Sequence, residues 1–345
     1  MSIKSTQTAV VNEQAIVLFE LKNNTGTTVC ITNIGSTITS IQTPDKNGKI
    51  EEVTLGFNDP LDYLNEAYLK NCPYLGATAG RFANRIAKGK FKLDGKSYTV
   101  PVNNDANHLH GGPDGFHQQI WKGRIEGESL VMTLVSPDGH MGYPGKLTAR
   151  VKYTLTDAHE LIMDYLAESD QACPVNLTNH AYFNLRGKKA SILDQEVMIM
   201  ADHYTPAIDA IPTGEIAPVK DTAFDFSSLR TIGEKIDASP IKTYDHNFVL
   251  NHPEGQLERA ALALDKETGR VLEVFTTLPG MQFYAGKFLD GSYARGDWYF
   301  ESHEGFCLET QYFPDSPNHP KFPDCIARPG KPFKHTTVFK FGTQA

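Results

Sequence analysis

Read at a period of two, the chain breaks into short runs in which apolar and polar residues alternate: residues 14–21, 27–33, 37–43, 147–155, 270–277 and 336–341. Such alternation puts one set of side chains on each face of a pleated strand, so each run predicts a β-strand with one face buried. Turn-forming residues separate the runs. Asp94-Gly95, with strand-like residues on both sides in "FKLDGKSYTV", predicts a two-residue type I′ hairpin, since both central positions there need positive φ. Asp138-Gly139, in "SPDGHMGYPG", sits in a longer loop. Helical periodicity is confined to "DPLDYLNEAYL" from Asp59 and "SSLRTIGEKI" from Ser227, each opening on a residue able to cap a helix. No repeat, low-complexity segment or linker stands out. The pattern predicts an all-β chain, residues 1–345 forming a single domain: one large antiparallel β-sandwich with few short helices. Irregular stretches near 186–194 and 290–304 read as loops that can wall a cleft.

One run carries an unusual polar face. In "NLTNHAYFNL", Leu177, Ala181, Phe183 and Leu185 share a side with Asn179, while Asn176, Thr178, His180, Tyr182 and Asn184 take the other. A face that merely meets water usually carries Lys, Glu or Arg. Short hydrogen-bonding groups around a histidine instead suit a polyol, with Tyr182 adding an apolar wall.

Three further stretches hold candidate chemistry. "GATAGRFANRIAKGKF" matches neither a phosphate loop nor a dinucleotide fingerprint, but its glycines permit close backbone approach, and Asn84 beside Arg85 offers adjacent donors for a polar ligand. The plainer alternative is a surface loop with solvated Arg81 and Arg85. "NHLHGG" puts His108 and His110 on one side of an extended segment, the spacing of some metal sites, yet no third ligand is evident nearby apart from Asp114. Gly111-Gly112 suggests a turn that presents His110 into a cavity, whereas His108 reads better as a hydrogen-bonded core histidine. In "GFCLETQYF", alternation puts Cys307, Glu309 and Gln311 on one face, and a carboxylate in so uncharged a strand is paired, at a sheet end, or at work. Two weaker pieces accompany them: "YDHNF" with Asp245, and "MQFYAG" with Gln282 and Tyr284 on one face.

Composition narrows the function classes. A chain of 345 residues, 40% hydrophobic, can bury a sizeable core. The formal net charge of −8 and the lack of a dense Lys/Arg block argue against nucleic acid or an anionic membrane as partner. The N-terminus lacks the apolar core of a signal peptide, and no apolar run approaches a membrane span, so a cytoplasmic protein is expected. Five scattered cysteines without a C-x-x-C pair are expected to be buried thiols.

Together the motifs "GRFANRIAKGKF", "NHLHGG", "GYPG", "PVNLTNHAYFNL", "YDHNF", "QFYAG" and "ETQYFPDSPNHP", in this order from about Ile31 to the C-terminus, closely resemble the aldose 1-epimerase family, the galactose mutarotases in particular. The resemblance implies a large β-sandwich enzyme that opens and closes an aldose ring so that α and β anomers interconvert, without cofactor or metal. It implies Glu309 as the general base on the anomeric hydroxyl and His180 as the general acid on the ring oxygen. It implies further that His110 contacts the ring-oxygen side, and that Asp245, Gln282, Asn84 and Arg85 bind hydroxyls. No departure from the family pattern is seen at these positions. The expected partner is a small sugar such as galactose or glucose, with the chain a monomer or homodimer. Three alternatives stay open: a hexose 6-phosphate epimerase, which would want basic residues beside Arg85; a sugar-binding module, which would not need Glu309; and a metal enzyme built on His108 and His110.

Overall fold

The computed structural model describes residues 1–344, which form three main antiparallel sheets. A five-stranded meander runs in chain order through Ser2–Val11, Gln14–Lys22, Thr28–Thr32, Thr37–Pro44 and Ile50–Glu52. A nine-stranded sheet forms the backbone of the sandwich, with Glu160–Ser169, Phe333–Thr343 and Arg270–Thr276 at its centre. A third sheet orders Ala217–Pro218, His203–Tyr204, Asp245–Val249, Gly280–Tyr284 and Cys307–Gln311. One large apolar cluster contains residues of all three, including Ile31, Val151, Phe283 and Phe339. The all-β architecture is the one that the alternating runs predicted, and each of those runs is a strand. Asp94 and Gly95 both have positive φ, 49° and 79°, at the tip of the Lys90–Leu93/Lys96–Thr99 hairpin.

Helix is nearly absent. Asp59 and Asn65 each cap a short piece through a side-chain oxygen, the 3₁₀ turn Pro60–Leu64 and the α-helix Glu66–Lys70, where the sequence suggests one helix. The helix expected from Ser227 does not form. Arg230 pairs with Val197 at the sheet edge, and its guanidinium lies 3.7 Å from the centre of the Phe226 ring while donating to the carbonyls of Ala223 and Asp225. Tertiary pairing outweighs a marginal local preference here.

The long strand expected over 176–185 is also broken. Thr178–Asn179 pairs with Thr78–Ala79, and Tyr182–Phe183 with Thr54–Leu55, so the chain changes partner at His180. Asn176 and Asn184 serve protein groups, mostly backbone, rather than a ligand: Asn176 bonds the backbone of Ala83 and Tyr312, and Asn184 bonds the Ala190 and Glu304 carbonyls, the Arg186 amide and the Gln195 side chain. Only His180 and Tyr182 of that face reach the cleft. Arg81 is buried, not solvated, its guanidinium satisfied by Ser136 and by the carbonyls of Pro137, Pro144 and Gly145. No helix among the described residues is long and apolar enough to cross a membrane.

Candidate active site

Three neighbouring strands, Asp245–Val249, Gly280–Tyr284 and Cys307–Gln311, build the floor of a cleft of about 790 Å³. Their register aligns Asn247, Gln282 and Glu309 in one row and Asp245, Tyr284 and Cys307 in the next. Both rows therefore share a face. The alternate residues, Phe248, Met281, Phe283 and Leu308, face the apolar core and hold this polar face in place.

At the bottom of the cleft Glu309 Oε1 lies 3.6 Å from His180 Nε2, and both residues are almost wholly buried. Glu309 Oε2 is buried without a hydrogen-bond partner. Burial is the main cause that raises the Glu309 carboxyl well above the usual carboxylate range; the negative Asp245 adds to this and Arg85 opposes it. Burial also lowers His180 to about 4, against smaller opposing effects from its own backbone carbonyl and Asp245. An unpaired charge is costly here, so burial favours the neutral form of both groups.

His110 enters from the other wall. Its φ of 48° turns it out of the short His108–Leu109 strand, which is why His108 and His110 do not point the same way. Gly111 makes the approach possible, because at φ 88° any Cβ there would collide with the Gly80 carbonyl. The Asn84 amide donates to His110 Nδ1 (3.1 Å), and the His110 amide donates back to the Asn84 carbonyl (3.1 Å). Burial holds the His110 ring neutral, so its proton sits on Nε2. His108 is structural: Nδ1 meets the Pro101 carbonyl at 2.6 Å and Nε2 the Tyr143 hydroxyl at 2.7 Å.

Asn84, Arg85 and Asp245 line the same cleft. Asp315 fixes the Arg85–Ala87 backbone from behind, its amide donating to the Arg85 carbonyl and its carboxylate accepting from the Ala87 amide. Arg85 Nη1 stands 4.0 Å from Asp245 Oδ2, and Gln282 Nε2 donates to Asp245 Oδ1 at 2.6 Å. Gln282 does not line the main cleft; it sits behind Asp245 and orients it. Tyr182 and Tyr284 add aromatic walls, their hydroxyls engaged by Pro73 and Phe288. Sequence reading missed Tyr74. With φ 59° it packs its ring on His110, His117 and His180, and nothing in "NCPYLG" marks it. It missed also the hairpin Ala207–Ile208/Ile211–Pro212, whose tip residues Asp209 and Ala210 overhang the cleft.

His110, His180 and Glu309 stand close enough together to hold a metal ion. The fit is poor. The Asn84 amide already occupies one nitrogen of His110 and leaves the proton on the other, and a metal needs a free lone pair.

A polar cleft in a β-sandwich, with a carboxyl 3.6 Å from an imidazole at its foot, suits an acid–base isomerase. The aldose 1-epimerase family model matches residues 17–340, and the chain belongs to that family. Over 330 residues it is 45% identical to the galactose mutarotase of Rattus norvegicus, covering 95% of this chain and 94% of that one. The aldose 1-epimerase of Escherichia coli strain K12 is 37% identical, with 94% of each chain covered. Among solved structures, an aldose epimerase homologue from C. elegans superposes with a TM-score of 0.88 at 30% identity, covering 96% of this chain and all of that one. The galactose 1-epimerase from Lactobacillus acidophilus gives 0.86 at 29% identity, covering 100% and 99%.

Proposed function

We propose that the protein interconverts the α and β anomers of free hexoses such as galactose and glucose, with Glu309 as base and His180 as acid. The Glu309–His180 pair at 3.6 Å carries this reading. In the cyclic sugar complex the pair is Glu309 carboxylate and His180 imidazolium. Glu309 takes the proton of the C1 hydroxyl as the C1–O5 bond breaks, and His180 Nε2 gives its proton to O5. The pair is then neutral, the aldehyde turns about C1–C2, and the same steps run backwards. Each positioned group supplies roughly 10²–10⁴-fold. Asp245, oriented by Gln282, together with Asn84 and Arg85, holds the other hydroxyls while C1 turns, and the His110 Nε2–H donates on the ring-oxygen side. The five free thiols support a cytoplasmic setting.

Polarimetry on freshly dissolved α-galactose and α-glucose, beside their 6-phosphates, tests the reading. Free hexoses are expected to be preferred in kcat/KM by at least about tenfold, or ~1.4 kcal/mol. Among the described lining residues Arg85 alone is permanently cationic, against Asp105, Asp209, Asp245 and Glu309. A preference for glucose 6-phosphate would overturn the substrate assignment. Turnover is expected to survive exhaustive chelation, because the His110 tautomer disfavours a metal. Loss with EDTA and recovery with zinc would contradict it.

The pH profile of kcat/KM is expected to be bell-shaped, with limbs that belong to the pair. The active form holds one proton between two sites, so the acid limb falls near the lower value, about 4, where His180 takes up a second proton. The alkaline limb is set by the raised Glu309 carboxyl, where the last proton leaves. A flat profile from about pH 3 to 9 would contradict the shared proton.

A further inference from the structure

Cys307 stands two residues before Glu309 on the same face of one strand, and His180 lies along that strand so that each ring nitrogen meets one of them. Nε2 faces Glu309 Oε1 at 3.6 Å, and Nδ1 faces Cys307 Sγ at 3.5 Å. The thiol is wholly buried and has no access to a ligand of its own. Burial first, then Glu309 and Asp245, holds it well above the usual thiol range, so it is neither a nucleophile nor a base. A polarizable sulfur next to an imidazole N–H can still act as a weak acceptor. The ring plane is held as well: Tyr182 and Tyr74 lie about 30° from parallel to it, with centroids at 5.1 and 5.9 Å, and His110 meets it nearly edge-on at 5.2 Å.

We propose that Cys307 is a positioning residue for the proton transfer: its sulfur accepts a hydrogen bond from His180 Nδ1–H, keeping one proton there and reserving Nε2 for the proton that moves. This rests on the reading of His180 as the acid. The chemistry needs the arrangement, because imidazolium can lose a proton from either nitrogen, and only loss from Nε2 serves the ring oxygen. After that loss the neutral ring is the Nδ1–H tautomer, the one that the sulfur stabilises. The same tautomer leaves Nε2 free to accept from protonated Glu309 in the unliganded enzyme.

The test uses the full-length protein with ¹⁵N-labelled histidine, His180 signals being assigned by their loss in His180→Asn. At neutral pH the wild-type His180 ring is expected to carry its proton on Nδ1. In Cys307→Ala the proton should move toward Nε2, and kcat for α-galactose should fall about tenfold with KM within about twofold, the scale of one weak hydrogen bond. Cys307→Ser should keep the tautomer and hold kcat within about threefold of wild type. An Nε2–H ring in the wild type would overturn the proposal, and this reading stands even if Cys307→Ala does not fold. So would a Cys307→Ala variant unchanged in tautomer and kcat, or a Cys307→Ser variant as slow as Cys307→Ala, which would mark a packing role. Undiminished kcat in His180→Asn would instead remove the acid assignment itself, whatever the ring signals show.

Discussion

Replacing Glu309 by glutamine is expected to lower kcat for α-galactose by about 10²–10⁴ and to leave sugar affinity within a few-fold. The amide keeps the shape of a side chain that is 2% exposed on a strand paired with Gly280–Tyr284, so the fold has little reason to move. What disappears is the proposed acceptor for the O1 proton, a role exercised in the transition state. Asp245→Asn makes the contrast. A hydroxyl clamp acts in the ground state too, and its loss should fall on KM. Initial rates by polarimetry and affinity by calorimetry decide between the two patterns. If Glu309→Gln abolished binding and left kcat intact, the carboxyl would be a clamp and not the base.

His180→Asn should cost kcat a similar factor of about 10²–10⁴, since it removes the donor to the ring oxygen. The double variant is the sharper measurement. In the proposed mechanism Glu309 and His180, 3.6 Å apart, act in one coupled step, so an acid without its base has little left to do. Combined losses should therefore fall far short of the product of the single ones. Multiplicative losses would mean that the two groups act in separate steps.

The strand pattern was legible because period-two alternation reports directly which face is buried, and it put Cys307, Glu309 and Gln311 on the face that the structure gives them. His180, His110, Asn84, Arg85, Asp245 and Glu309 do meet in one cleft. Alternation could not show that the chain changes partners at His180, because register is decided by distant strands. Hence Asn176 and Asn184, which looked like ligand groups, turned out to bind protein groups, mostly backbone. His108 and His110 looked alike at period two, and a single positive φ separates them. Gln282 was placed on the right face, where it bonds Asp245 and lines an adjoining pocket with Asn84 and Asp245. Tyr74 left no trace, since packing on three histidines drawn from separate segments has no local signature.

Asp245, Gln282 and Glu309 stand on three adjacent strands whose other face is part of the main core. Amides of the two inner strands of this ladder are expected to exchange with solvent more slowly than those of the rim. The overhanging hairpin at 207–212 pairs through two-residue strands and puts Ile208 at the surface, so it can fray and re-form while the floor stays still. Asp245, Gln282 and Glu309 are therefore expected to keep their places until the core melts. Inactivation and melting of the enzyme are then expected to coincide, residual activity and near-UV circular dichroism falling together on one heating ramp.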